Sequence, residues 1–153
     1  MRTLKNKDEN LFVLFADDDT DTLELYNAYC DLKGWAGQFT RTASGIVDLV
    51  NENIDRPFDV IVSDINFTHS VPRLTGISAA LELRKKGFDI PILFITAFVN
   101  SLIKEEVKRV GAEIMEKPVD FEKVFQGIRE LASIETRKTS VLQRFNMDVP
   151  LVS

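Results

Sequence analysis

Apolar residues along this chain fall into two registers. Three nearly unbroken runs, residues 11–16, 58–63 and 91–95, each open onto a polar residue: Asp17, Asp64 and Thr96. Runs of that length, bounded by turn residues, read as strands buried on both faces, as in a parallel sheet. Residues 38–41 form a shorter, more polar strand suited to a sheet edge, and 112–116 a short last strand running into Lys117-Pro118. Between the strands, apolar positions recur at helical spacing. Leu23, Tyr26 and Cys30 make one stripe and Leu25, Tyr29 and Leu32 a second, so the first helix is expected to bury a wide face. Thr20 or Asp21 is its expected cap and Gly34 its stop. A second helix starts at Ser44 and turns Ile46, Val47, Leu49 and Val50 inward, ending at 55–57. A third follows Thr75-Gly76 and closes at Gly87. A fourth places Ile103, Val107 and Val110 inward with 104–106 and 108–109 charged and solvated, and stops at Gly111. The last, capped by Asp120, carries Phe121, Val124, Phe125, Ile128 and Leu131 on one stripe. Strands alternating with helices in this way predict an α/β fold with a doubly wound parallel sheet.

The polar residues at the strand ends then matter together. In an open α/β sheet, ligands bind at the carboxyl edge of the strands. Four strands deliver Asp17 and Asp18, Asp64, Thr96 and Lys117 to that edge. Carboxylates gathered at one place repel unless a cation joins them. Magnesium suits them, since it takes hard oxygen ligands from one or two carboxylates and from phosphate. A carboxylate beside such an ion can act as a nucleophile toward phosphorus, with an ammonium and a hydroxyl balancing the charge of the transferred group. Read singly, the same residues have plainer roles: Asp17, Asp18, Asp19 and Asp21 suit the positive end of a helix dipole, and Thr96 suits a helix entry.

Composition narrows the partners. The chain has 153 residues with a net charge of −5 and 44% hydrophobic residues, enough for one domain with a core. An acidic balance argues against direct DNA binding. One cysteine, Cys30, allows no internal disulfide and fits a cytoplasmic setting. No apolar stretch approaches the ~20 residues of a membrane helix, and residues 1–9 carry no signal-peptide pattern. Cys30 is most simply a small core residue, and His69, the single histidine, a solvated loop residue.

The motifs Phe-Ala-Asp17-Asp18-Asp19, Ile-Val-Ser-Asp64-Ile-Asn66, Phe-Ile-Thr96-Ala97 and Met-Glu-Lys117-Pro118 occur in order, each at the end of a strand. Together they resemble the receiver domain of two-component response regulators, over about residues 10–133. The resemblance implies a flavodoxin-like five-stranded sheet of order 2-1-3-4-5 with helices on both faces. It implies that Asp64 is the phosphoacceptor, that Asp18 binds Mg2+ directly and Asp17 through water, and that the backbone carbonyl of Asn66 completes the metal site. Thr96 matches the switch hydroxyl and Lys117 the lysine that pairs with the phosphoryl group. The implied donor is a sensor histidine kinase or a histidine phosphotransfer protein; the downstream target stays unassigned and a homodimer stays open. Such a chain catalyses only its own phosphorylation and dephosphorylation, and is not a turnover enzyme.

The chain departs from the family pattern in two places. Family members commonly follow the acceptor with Met-Pro and soon a glycine; here Pro72 and Gly76 arrive about four residues late, implying a longer loop at 67–75. Lengthening a loop from about eight to about twelve residues adds only ~0.4 kcal/mol of closure entropy, so the fold tolerates it. Ile114 stands where the family has an aromatic residue that swings inward on phosphorylation, so any readout must differ. Phe98, two residues past Thr96, is expected to hinder hydrolytic water by its bulk. Three divisions follow: a loose N-terminus at 1–9, a receiver unit at 10–135, and a tail at 136–153 that extends the last helix or docks a partner, too short for an effector domain. Two rival readings are a phosphatase or phosphotransferase with an aspartyl nucleophile and a degenerate receiver that only binds proteins. Asn66 stands where the first would place its general acid; Ile114 and the long loop favour the second.

Overall fold

The computed structural model describes residues 10–67 and 75–145, the last twelve of these by backbone alone. Elements alternate throughout: β1 (Phe12–Ala16), α1 (Thr20–Lys33), β2 (Ala36–Thr40), α2 (Ala43–Glu52), β3 (Val60–Ser63), α3 (Gly76–Lys85), β4 (Ile92–Thr96), α4 (Ser101–Arg109), β5 (Glu113–Glu116) and α5 (Phe121–Phe145). All strand pairings are parallel and the sheet order is β2-β1-β3-β4-β5. This is the doubly wound five-stranded arrangement expected above. The expectations for residues 1–9, for most of the 67–75 loop including His69 and Pro72, and for 146–153 lie outside the described residues.

Two cores sandwich the sheet, because successive side chains of each buried strand point to opposite faces. Phe12, Leu14, Ala16, Ile61, Ile92 and Phe94 face α2, α3 and α4. Val13, Phe15, Val60, Val62, Leu93 and Ile95 face α1 and α5. The second core is aromatic: Phe15 stacks on Tyr26, and Phe125 lies against Phe15 and Trp35. The strand β2 lies at a sheet edge and is nowhere fully buried, as its sequence suggested.

Several local expectations need correction. Asp19, not Thr20 or Asp21, caps α1; its carboxylate accepts the Asp21 amide. The α1 face is narrow, since Leu23, Tyr26 and Cys30 are buried but Leu25 and Leu32 are 51% and 82% exposed. One stripe meets the sheet and α5, and no described element reaches the other beyond Tyr29, which packs on Phe121 and Phe125. Thr42 caps α2, whose first residue, Ala43, lies one position before the expected start at Ser44. Asp59, just before β3, is buried and accepts the Phe12 amide at 2.8 Å, pinning the entry to β3 to the start of β1.

Candidate functional site

The carboxyl edge of the sheet collects the polar strand ends. Asp17 follows β1 directly, and its amide donates to the Thr40 carbonyl at the end of β2 at 3.1 Å. Its own Oδ1 accepts the Asp19 amide at 2.9 Å, turning the chain into α1. Asp64 follows β3, its amide bonded to the Ala16 carbonyl at 2.9 Å. Backbone ladders therefore set both acids side by side before any side chain is considered. Thr96 ends β4 and is buried; its carbonyl accepts the Lys117 amide at 2.7 Å, which places Lys117 beside the same edge. The Lys117-Pro118 peptide is cis.

Carboxylate oxygens of Asp17, Asp18 and Asp64 lie within 4.8 Å of one another. Asp17 is 2% exposed and Asp64 8%. Lys117 Nζ lies 3.0 Å from Asp64 Oδ2 and 3.5 Å from Asp17 Oδ2, so one ammonium bridges two acids. The other Asp64 oxygen, Oδ1, accepts the amides of Ile65 at 2.7 Å and Asn66 at 3.3 Å. Asp64 is thus held by backbone on one oxygen and by ammonium on the other. Burial pushes the Asp17 carboxyl above its ordinary value, with Asp64 and Asp18 adding repulsion; the Asp19 amide and the Lys117 charge oppose the rise. Burial pulls the Lys117 ammonium down, but its hydrogen bond and charge attraction to Asp64, with help from Asp17, leave it above its ordinary value. Asp17, Asp18 and Asp64 present their carboxylate oxygens to one another at this edge. Their donor set is all hard oxygen, which fits a divalent cation such as magnesium.

Asp17, Asp18, Asp64 and Lys117 come together as the sequence suggested. Thr96 stands at the next strand end, its Oγ1 accepting the Phe98 amide at 3.5 Å. Asn66 contributes its amide to Asp64, with its side chain exposed. Phe98 leaves its ring 58% exposed at the rim. Ile114 pairs with Phe94 across β4 and β5 and packs half-buried on the core beneath α4. Cys30 is buried with its thiol pushed up to about 12 by burial, so it stays protonated and inert.

Two further participants emerge once the elements are assembled. Gly76 opens α3 against the acceptor: its amide donates to the Ile65 carbonyl at 2.7 Å, and an added Cβ would collide with the Asp64 carbonyl oxygen. The late glycine therefore still reaches the acceptor, despite the lengthened loop. Arg41, just past β2, sends Nε and Nη2 to the Asp18 carbonyl at 3.3 and 3.1 Å. Gly76 was marked by the family pattern of a glycine after the acceptor; Arg41 carries no spacing signal and is recognised only when the elements are assembled.

Comparison with known proteins agrees with this arrangement. Residues 13–129 match the family model described as the response regulator receiver domain. The transcriptional regulatory protein ZraR of Salmonella typhimurium is 29% identical over 128 residues, covering 83% of this chain and 27% of ZraR. The response regulator MprA of Mycolicibacterium vanbaalenii is 29% identical over 122 residues, covering 78% of this chain and 49% of MprA. The chain thus spans at most about half the length of these curated relatives. The receiver domain of the Francisella response regulator 1452 superposes with a TM-score of 0.72 at 25% identity, covering 82% of this chain and 99% of that domain. The Vibrio cholerae chemotaxis protein CheY4 shares the fold, with a TM-score of 0.68 at 24% identity, covering 80% of this chain and 98% of its own. With the family model matched across most of its length, this chain belongs to the response regulator receiver domain family of two-component signalling.

Proposed function

We propose that this receiver accepts a phosphoryl group on Asp64 from a histidine kinase or histidine phosphotransfer protein, and acts as a signalling switch or relay. The observation that carries the reading is Asp64 Oδ2 held 3.0 Å from Lys117 Nζ, with Asp17 and Asp18 close enough to share a cation with it. In the transfer an Asp64 carboxylate oxygen bonds to phosphorus while the phosphorus–nitrogen bond of the donor phosphohistidine breaks. The bonding pair stays on the imidazole nitrogen. Asp17, Asp18 and Asp64, with the Asn66 carbonyl, would hold magnesium, which supplies positive charge to the phosphoryl oxygens. Lys117 neutralises the charge gained on the acceptor side, and the Thr96 hydroxyl donates a hydrogen bond to a phosphoryl oxygen. Hydrolysis reverses the bond to Asp64 with water as the nucleophile, and Phe98 at the rim obstructs that water.

Residues 10–135 form the receiver unit in this reading, working in the cytoplasm without DNA contacts of their own. No helix among the described residues is long and apolar enough to cross a membrane. Ile114 favours a second reading, a receiver that binds partners without phosphorylation, because isoleucine offers no aromatic rotamer to switch. Intact mass after incubation with magnesium and a small acyl phosphate separates the two. The proposal expects one added phosphoryl group, absent with EDTA and in Asp64→Asn. No added mass from either an acyl phosphate or a phosphorylated phosphotransfer protein would leave the binding-only reading.

A further inference from the structure

We infer that Arg41 is a positioning residue for the cation site, acting through the backbone of Asp18; this inference rests on the reading above. The β1–β2 ladder ends with the Asp17 amide on the Thr40 carbonyl at 3.1 Å. Beyond that bond the two chains diverge, one into α1 and the other into a bend before α2, and the Thr42 amide turns back to Thr40 Oγ1. The Asp18 carbonyl lies past the last ladder pair, Ala16 with Thr40. There the Arg41 guanidinium reaches it with two N–H groups, at 3.3 and 3.1 Å. Three successive backbone groups are thereby fixed: the Asp17 amide by β2, the Asp18 carbonyl by Arg41, and the Asp19 amide by Asp17 Oδ1 at 2.9 Å. With its peptide anchored on both sides, Asp18 is directed to the carboxylate group it forms with Asp17 and Asp64. The planar fork of arginine makes this two-pronged contact, which a lysine cannot reproduce.

Charge and geometry predict opposite signs, which makes the inference testable. An arginine beside a cation site repels the cation, so by charge alone Arg41→Gln would bind magnesium more tightly. By positioning, Arg41→Gln and Arg41→Lys both bind it more weakly, by roughly tenfold, the lower end of what outer residues of metal sites contribute. The experiment is calorimetric titration of the full chain with magnesium chloride, for wild type, both variants and Asp18→Asn, with melting temperatures recorded in EDTA. The expected result is weakened binding in both Arg41 variants with EDTA melting temperatures close to wild type. Unchanged or tighter binding in Arg41→Gln, or a full recovery in Arg41→Lys, overturns the positioning role. A melting temperature that falls in step with affinity overturns it as well, since a general loss of stability would then suffice. Wild type that binds no magnesium overturns this inference together with the reading it rests on; normal wild-type binding with unaffected variants overturns this inference alone.

Discussion

Gly76→Ala is the substitution that should disturb the acceptor most from outside the acidic cluster. The new Cβ would fall well inside contact distance of the Asp64 carbonyl oxygen, 3.0 Å from Ser63 Oγ and 3.1 Å from Phe94 Cε1. None of these neighbours yields easily. Asp64 is tied to β1 through its amide, Ser63 Oγ donates to the Asp64 carbonyl at 2.6 Å, and Phe94 is fully buried. Relief requires α3 and the Asp64 peptide to separate by roughly 1 Å, toward the ~3.5 Å of ordinary contact. Overpacking of this kind costs about 1–3 kcal/mol, or roughly 4–10 °C in Tm for a domain of this size. The same shift breaks or lengthens the bond from the Gly76 amide to the Ile65 carbonyl, and so unsettles the two amides that hold Asp64 Oδ1. A displacement near 1 Å at a reacting group lowers rates by about 10²-fold. Melting by circular dichroism, with the initial rate of phosphorylation by an acyl phosphate, reads both effects. A variant that melts within a degree of wild type and is phosphorylated within twofold of its rate would refute the argument that the close approach of position 76 to Asp64 requires a residue without Cβ.

Two further outcomes follow from the site. The raised Asp17 pKa means that the folded protein holds this proton more firmly than the unfolded chain, whose carboxyl has the ordinary value of 3.8. The stability tied to the neutral acid is fully present below that value and is lost as pH rises through the folded pKa. Asp17→Asn, which keeps an oxygen for the Asp19 amide, should therefore melt higher than wild type at neutral pH in EDTA and lose less stability between acid and neutral pH. Excess magnesium should reverse the order, because binding stabilises only the chain with the complete carboxylate set; a lower EDTA melting temperature for the variant would contradict this. Phe98→Ala should shorten the lifetime of the phosphoryl group by opening the rim to water, and an unchanged lifetime would remove Phe98 from the account.

What the sequence disclosed, and what it withheld, has a physical pattern. Asp17, Asp64 and Thr96 were legible because each ends an apolar run, Lys117 because it follows a short last strand into Pro118, and a parallel sheet brings all such ends to one edge. Leu25 and Leu32 were misread because helical spacing states which residues share a face but not whether anything covers it. Asp19 could not be told from its neighbours as a cap, since cap choice depends on where the chain leaves β1. Asp59 drew no separate reading, because its partner, the Phe12 amide, is 47 residues away in the chain. Gly76 was announced by the family pattern, though not its contact with the Asp64 carbonyl; Arg41 acts on Asp18 from the neighbouring strand end, so no local pattern announces it.

The central claim is that Asp64 itself takes the phosphoryl group, and chemical trapping tests it most directly. Borohydride reduces an aspartyl phosphate to homoserine, so reduction after phosphorylation, followed by peptide mass mapping, marks the acceptor. The account predicts homoserine at position 64 and unmodified aspartate at 17 and 18. Homoserine at 17 or 18, or phosphate retained on another residue when Asp64 is intact, would contradict it.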